Sequence, residues 1–158
     1  MLNRPKAGPR LLIVLLALTS LGCTDVFGPE QETLAAARAR WALTDADDYV
    51  FEFRRSCFCA PDFVRPVRVR VLDGIVASAV YADTEDPISL PLTSVPTIDD
   101  LFDEIADAMD ATAFAVVAEY DADMGYPTSV AIDFIEDAID DEVAFTVSSF
   151  QLLFVSGT

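Results

Sequence analysis

Apolar residues return at every second position in six stretches of the chain and at helical spacing in two, and these periods separate strands from helices. Glu30 to about Leu43 is the first helical stretch. Its good helix formers (LAAARARWAL) place Leu34, Ala37 and Trp41 on one face, and Asp45, Asp47 and Asp48 end it. Tyr49, Phe51 and Phe53 then alternate with Val50, Glu52 and Arg54, which predicts a strand with an aromatic inner face. Residues 56–66 carry two prolines and two cysteines and read as a loop. Val67, Val69 and Val71 alternate with Arg68 and Arg70, and Asp73-Gly74 signals a hairpin into a third strand, Ile75 to Tyr81. Residues 83–96, with three prolines, form a long connection.

The second half repeats the order without repeating the residues. Thr97 is the expected N-cap of a second helix, with Asp100 three residues later as in a capping box. Ile98, Leu101, Phe102, Ile105 and Met109 follow helical spacing. Phe114, Val116, Ala118 and Tyr120 predict a fourth strand, and Val130, Ile132 and Phe134 a fifth beyond the loop DADMGYP. Strand parity assigns Phe114 and Phe134 to the core beside the other strand aromatics; Tyr126 and Pro127 fall at a hairpin tip, where turn chemistry is the expected role and a contact point the alternative. In the sixth strand Val143, Phe145 and Val147 share one parity while Phe150, Leu152 and Phe154 share the other. That change of phase predicts a β-bulge at Ser148-Ser149. The order α-β-β-β-α-β-β-β, with strands joined as hairpins, predicts an α+β fold: an antiparallel β-sheet of about six strands in two hairpin-rich halves, with two helices packed on it.

The N-terminus reads as an address. Arg4, Lys6 and Arg10 precede the apolar run Leu11 to Leu18, which is shorter than the roughly 20 residues a spanning helix needs. The ending Leu18-Thr-Ser-Leu-Gly-Cys23 resembles the lipobox of bacterial lipoproteins. That resemblance implies a signal peptide over 1–22, lipidation of Cys23, and a tether over 23–31 leading to one domain over 32–158. Several acyl chains on one cysteine would exceed the two-signal threshold for stable membrane anchoring. Thr24 after the cysteine implies, by the same resemblance, the outer membrane facing the periplasm.

Charge then narrows the partners. The chain has 158 residues, 27 of them Asp or Glu against 10 Lys or Arg, and a net charge of −17. Losing Arg4, Lys6 and Arg10 with the signal would take it to −20. A surface this acidic repels nucleic acid and anionic headgroups, so no nucleic-acid partner is expected, and the body should stand off the membrane that holds its lipid. There is no histidine, which excludes Ser-His and Cys-His catalysis and imidazole metal sites. No catalytic residue, cofactor or metal site is predicted, and an enzyme is not expected.

Cys57-Phe-Cys59 is the most informative constellation. With Cys23 lipidated, one intrachain pairing remains, and thiols in an oxidising compartment usually pair. Residues i and i+2 of a regular strand lie about 6.7 Å apart, so the chain must bend to close such a bridge. Closing so short a loop contributes roughly 1.6 kcal/mol in the chain-entropy picture before any strain is subtracted. Arg54, Arg55, Arg65, Arg68 and Arg70 surround the pair and form a candidate binding loop for an envelope protein or an anionic polymer. A loop staple is the preferred role of the cysteines. A thiol–disulfide couple favoured by the nearby cations, or a soft-metal site for an ion such as Cu(I), are the alternatives. Asp121-x-Asp123-x-Gly125 resembles the start of a calcium loop, yet Ile132 stands where a bidentate Glu is required. The acids of 136–142 are expected to be a solvated turn.

Trp41, the strand Tyr49-Val-Phe-Glu-Phe, Cys57-Phe-Cys59, Val69-Arg-Val-Leu-Asp-Gly-Ile-Val76, Thr97-Ile-Asp-Asp-Leu-Phe102, Tyr120-Asp121 with Gly125-Tyr-Pro127, Ile132-Asp133 and Asp140-Asp-Glu142 together resemble a family of bacterial envelope lipoproteins built around a domain of unknown function. The resemblance spans most of residues 40–150. It implies the location and the α+β fold, and carries no activity with it. The expectation is therefore a lipid-anchored envelope protein acting as a non-enzymatic binding module.

Overall fold

The protein's structure, a computed structural model, describes residues 29–153 apart from residue 139. The signal segment, Cys23 and Phe154 lie outside the described residues. Helix α1 (Pro29–Ala42) is followed by strand β1 (Tyr49–Ser56), a one-turn helix α2 (Pro61–Val64), β2 (Val67–Leu72) and β3 (Ile75–Tyr81). Helix α3 (Ile98–Asp110) then leads to β4 (Ala115–Tyr120), β5 (Pro127–Asp133) and β6 (Val143–Leu152). The single turn α2 arises inside the stretch expected to be loop, with Pro61 at its first position, where the missing N–H costs nothing. Helix α1 begins at Pro29, inside the stretch expected as tether.

All six strands form one antiparallel sheet in the order β3-β2-β1-β6-β5-β4. Each half of the chain is a three-stranded meander, and the two meet where the first strand of one pairs with the last strand of the other. Val50 pairs with Gln151 but Glu52 with Ser148, so two residues of β6 oppose Phe51 alone, and Ser149 has φ 53°. This is the bulge that the phase change predicts. Its effect is to return Phe150 to the core side, where its ring stacks on Tyr49 at 5.5 Å and on Tyr126 at 4.5 Å.

Helices α1 and α3 lie on one face of this sheet. The predicted capping box is present: Asp100 N–H donates to Thr97 Oγ1 at 3.1 Å and Thr97 N–H donates to Asp100 Oδ2 at 2.8 Å. Ile98, Leu101, Phe102, Ile105 and Ala108 of α3 and Leu34, Ala37 and Trp41 of α1 are buried against Tyr49, Phe51, Phe53, Val69, Val71, Val130, Ile132 and Phe145. The described core contains no buried polar or charged residue. Arg55 and Glu104 seal one side of it with two parallel hydrogen bonds at 2.6 and 2.7 Å, and Arg38 pairs with Asp103 between the helices.

Strand parity misplaces Phe114 and Phe134, and the turn at Tyr126 and Pro127 packs inward. Phe114 and Phe134 are 55% and 39% exposed. Ala115 pairs with Asp133 at the end of the β4–β5 ladder, so both rings fall just beyond the sheet, past the reach of the helices. Conversely, Tyr126 and Pro127 are not a projecting tip. Pro127 is fully buried and Tyr126 packs edge-on to Trp41 at 6.4 Å. Gly125 makes this possible: it has φ +85°, and a Cβ there would lie 2.3 Å from the Ala37 carbonyl oxygen. The loop is thus pressed onto α1 where only glycine fits.

Candidate functional site on the uncovered sheet face

The same alternation that buries every second strand residue leaves the other set on a face where no described element packs. On it the first half carries Ser78, Arg70, Glu52 and Arg54 beside the apolar Val50, Leu72, Ile75 and Val80, and the second half carries the shorter Thr146, Ser129, Ala131 and Val117. Register brings the small ones together. Ala131 pairs with Val117 on one side and with Ala144 on the other, while Ser56 pairs with Ala144. Side chains this short leave a groove of about 540 Å³. Its floor is Ala115, Val117, Ala131 and Ala144; Asp133, Asp140 and Glu142 supply acid at its walls. Val117 is 64% exposed, and Oδ1 of Asp133 is buried with no hydrogen-bond partner among the described residues.

Cys57 and Phe58 line the same groove. Strand β1 ends at Ser56 and the Cys57–Cys59 disulfide closes the next three residues, with Cα atoms 5.2 Å apart. That is shorter than the spacing of a regular strand and well inside disulfide range, so the chain bends here as geometry requires. The bend leaves Phe58 83% exposed at the groove. A large aromatic side chain that far out of the core, on a covalently closed loop, has no packing role in the described fold.

The five arginines of the candidate loop are not gathered around one point. Arg55 has the parity of Phe53 and lies on the helix side, paired with Glu104 and 5.5 Å from the Phe53 ring centroid. Arg65 stacks on Tyr81 at 3.5 Å and donates to Asp83 at 2.8 Å. Arg68 is held between Glu85 at 2.8 Å and Glu52 at 3.4 Å. Its hydrogen bonds to Glu85 and then Glu52 push its pKa up, and the bond to Asp83 does the same for Arg65 while pulling Asp83 below the usual carboxylate range. Arg54 and Arg70, both exposed on the open face, have no ion-pair partner among the described residues. An anion would therefore meet two unengaged guanidinium groups where composition suggests five.

The calcium-like motif serves the backbone instead. Asp121 Oδ1 accepts from Asp123 N–H at 3.0 Å and from Met124 N–H at 2.8 Å, and the Asp121 carbonyl accepts from Gly125 N–H at 3.0 Å. These bonds shape the turn that seats Gly125 on α1. Among the described residues no three His, Cys, Asp or Glu side chains are grouped to hold a metal ion. The groove itself is absent from the sequence reading. Its signal is faint but physical: alanine at wet-face positions of three neighbouring strands, where long polar side chains would ordinarily stand.

Residues 33–152 match a family described as "Family of unknown function (DUF6174)". No curated protein and no solved structure matches the chain.

Proposed function

Since the chain belongs to this DUF6174 family, whose description assigns no activity, we propose a function from the site: a non-enzymatic binding module, lipid-anchored through Cys23 in the bacterial envelope, that recognises its partner on the uncovered sheet face beside the Cys57–Cys59 loop. The observation that carries this reading is Phe58, 83% exposed and held over a groove of about 540 Å³. Exposed aromatics beside a concave surface are the usual anchors of protein recognition. Lipidation of Cys23 would hold the protein at a membrane without a spanning segment. Among the described residues, no helix is long and apolar enough to cross one.

The test is site-specific photo-crosslinking in cells of the source type. A photoreactive phenylalanine analogue at position 58 is expected to give a discrete adduct, and the same analogue at Asp107, on the outer side of α3, is expected to give none. Adducts of equal yield at both positions, or at neither, would sink the assignment of the face. Cys23→Ser is expected to move the protein from the membrane to the soluble fraction and to abolish palmitate labelling; an unchanged distribution would overturn the anchor.

A second reading has one observation in its favour. Cys59 is exposed and Cys57 half-buried, so a thiolate reagent can reach the pair. A thiol–disulfide role predicts opening by millimolar glutathione and alkylation of both sulfurs, read as an intact mass. A staple predicts alkylation only after strong reductant and denaturation.

A further inference from the structure

The two outer edges of the sheet are finished differently. Beyond β3 the chain folds back so that Val80 bridges Pro87, Tyr81 N–H donates to the Asp86 carbonyl at 2.9 Å, and Ile88 N–H donates to the Ala79 carbonyl at 3.5 Å. Proline at the centre of this strip has no N–H to offer a further strand, so the edge is closed. Beyond β4 no described residue pairs. Alternate residues of an edge strand turn their N–H and C=O groups outward, and natural edges are usually blunted by Lys, Pro or a bulge. The sequence of β4, Ala115-Val-Val-Ala-Glu-Tyr120, has no proline and no cation, and its register shifts only at Glu119/Tyr120. Residues 115–118 thus keep one register, with β-branched Val116 and Val117 at their centre, and no described residue pairs with their outer edge.

The groove lies on the open face beside that edge. A strand added to β4 would send every second side chain over Val117 and Ala115 toward the alanine floor. Among the described residues no cation lines the groove, whereas Asp133, Asp140 and Glu142 do, and Glu119 lies on the same face of β4 as Val117. Long basic side chains fit this combination: their methylene stems would lie on alanine while their charged ends reach the acids, including the buried, unpartnered Oδ1 of Asp133. A second copy of the chain, with net charge −17, would instead bring acid to acid.

We propose that β4 accepts an extended polypeptide segment of the partner as a seventh strand, with Lys or Arg at alternate positions facing the groove. This rests on the uncovered face being the recognition surface and adds to it the backbone edge and the chemistry of the occupant.

The test uses the full chain in detergent micelles at physiological salt, where general attraction to an acidic protein is screened beyond about 8 Å. The probes are three acetylated, amidated octapeptides: (Val-Lys)4, a version with proline at alternate valines, and (Val-Glu)4. The first is expected to bind, to slow amide exchange at least tenfold at alternate residues of 115–118, and to bind at least tenfold more tightly than the proline peptide. The glutamate peptide is expected not to bind. Asp133→Asn with Glu142→Gln, in a protein whose melting temperature is unchanged, is expected to weaken (Val-Lys)4 at least fivefold. Equal binding of the lysine and proline peptides would mean charge attraction alone and would overturn the added strand. Absence of binding, protection centred near Arg54 and Arg70, or concentration-dependent protection of β4 without peptide would overturn it too, the last by pointing to self-pairing. A position-58 adduct together with any of these leaves the face as the recognition surface and removes only the seventh strand.

Discussion

The two faces of the sheet are built from the same six strands, one residue out of step, and they are under opposite constraints. On the helix-covered face, Tyr49, Phe51, Ile132 and Phe145 are almost wholly buried, and among the described residues no polar or charged residue is buried with them. Even its charges are structural: Arg55 spans from β1 to Glu104 of α3 while resting 5.9 Å from the Phe145 ring centroid. On the uncovered face the corresponding positions include alanine, serine, threonine and the unengaged Arg54 and Arg70, and a groove of about 540 Å³ has acid beside an exposed phenylalanine. A face selected only for solubility would use long polar side chains, which hold water and fill space. Short side chains in register across β4, β5 and β6 do neither, and they keep a surface available. The comparison teaches that what holds the fold lies on one side of the sheet while the recognition we propose would use the other, so the two should be separable by mutation.

The sharpest way to break that comparison is through the covered face. Phe51 is fully buried at the centre of the sheet, opposite the bulge. Phe51→Ala is expected to destabilise the protein by about 3–5 kcal/mol, the usual range for truncating a buried Phe, in a chemical-denaturation curve. A loss below about 1 kcal/mol would mean that this face is not the one holding the fold together.

Gly125 comes next, because it tests the docking of the second hairpin on α1. A methyl group there meets backbone, the Ala37 carbonyl oxygen at 2.3 Å and the Trp41 nitrogen at 3.1 Å, in a conformation with φ +85°. Gly125→Ala should cost about 2–3 kcal/mol from overpacking and left-handed strain together. The Trp41 fluorescence should shift with it, since the ring sits between Tyr49, Tyr126 and Phe150. An unchanged melting curve would show that the loop does not press on the helix.

How much of this was legible beforehand follows from what each feature depends on. The alternation from Tyr49 to Phe53, the Thr97–Asp100 cap and the phase change at Ser148-Ser149 are local, and local pattern carried the order of elements along the chain, the boundaries of the two long helices and even the bulge, but not the pairing of β1 with β6. Phe114 and Phe134 kept the right parity but stood one residue past the last pair of their ladder, so what mattered was where the helices end, which no local pattern encodes. Tyr126 and Pro127 looked like a tip because Gly125 signals a turn; that the turn lands on Ala37, about 90 residues away in sequence, is a tertiary fact. The candidate site was half visible. Cys57 and Cys59 point to a loop that lines the groove, yet the surrounding arginines do not converge on it, since alternation sends Arg54 and Arg55 to opposite faces and Glu52, Asp83, Glu85 and Glu104 engage three of the five. The groove was hidden as well, because alanine carries no chemical signal until the register places small side chains of neighbouring strands together.

A third prediction uses pH to load the covered face alone. Burial, with the charges of Asp99, Asp100 and Asp47 adding to it against an Ile98 N–H bond, pushes the Tyr49 phenol up to about 12. Burial alone does the same to Tyr120, also to about 12, where the ring stacks on Phe102 at 6.1 Å. An unfolded phenol loses its proton near 10, so the folded state holds the extra protons between the two values. The stabilisation is fully present below pH 10 and is lost as pH rises from 10 to 12. Melting temperature should therefore fall across that window. Phenolate absorbance should develop near pH 10 in the urea-unfolded chain, with two of its tyrosines delayed to about 12 in the folded one. Titration of all four tyrosines together near 10 in the folded protein would contradict the burial of these two rings.

The smallest expected effect is the most discriminating. Val117 lies on the edge strand, 64% exposed, and pairs with Ala131 over the groove. Val117→Thr keeps the β-branched shape and the strand propensity while replacing one methyl with a hydroxyl, so stability should change by less than about 0.5 kcal/mol, as for most surface positions. If the residue were only a wet strand position, nothing else would change either. If the uncovered face is where a partner docks, the same variant removes apolar contact at the floor of the groove and should reduce crosslinking from position 58 severalfold while the melting curve stays put. A parallel loss of stability and crosslinking would mean that the two faces are not independent, and that the opposition between a holding side and a recognising side does not describe this sheet.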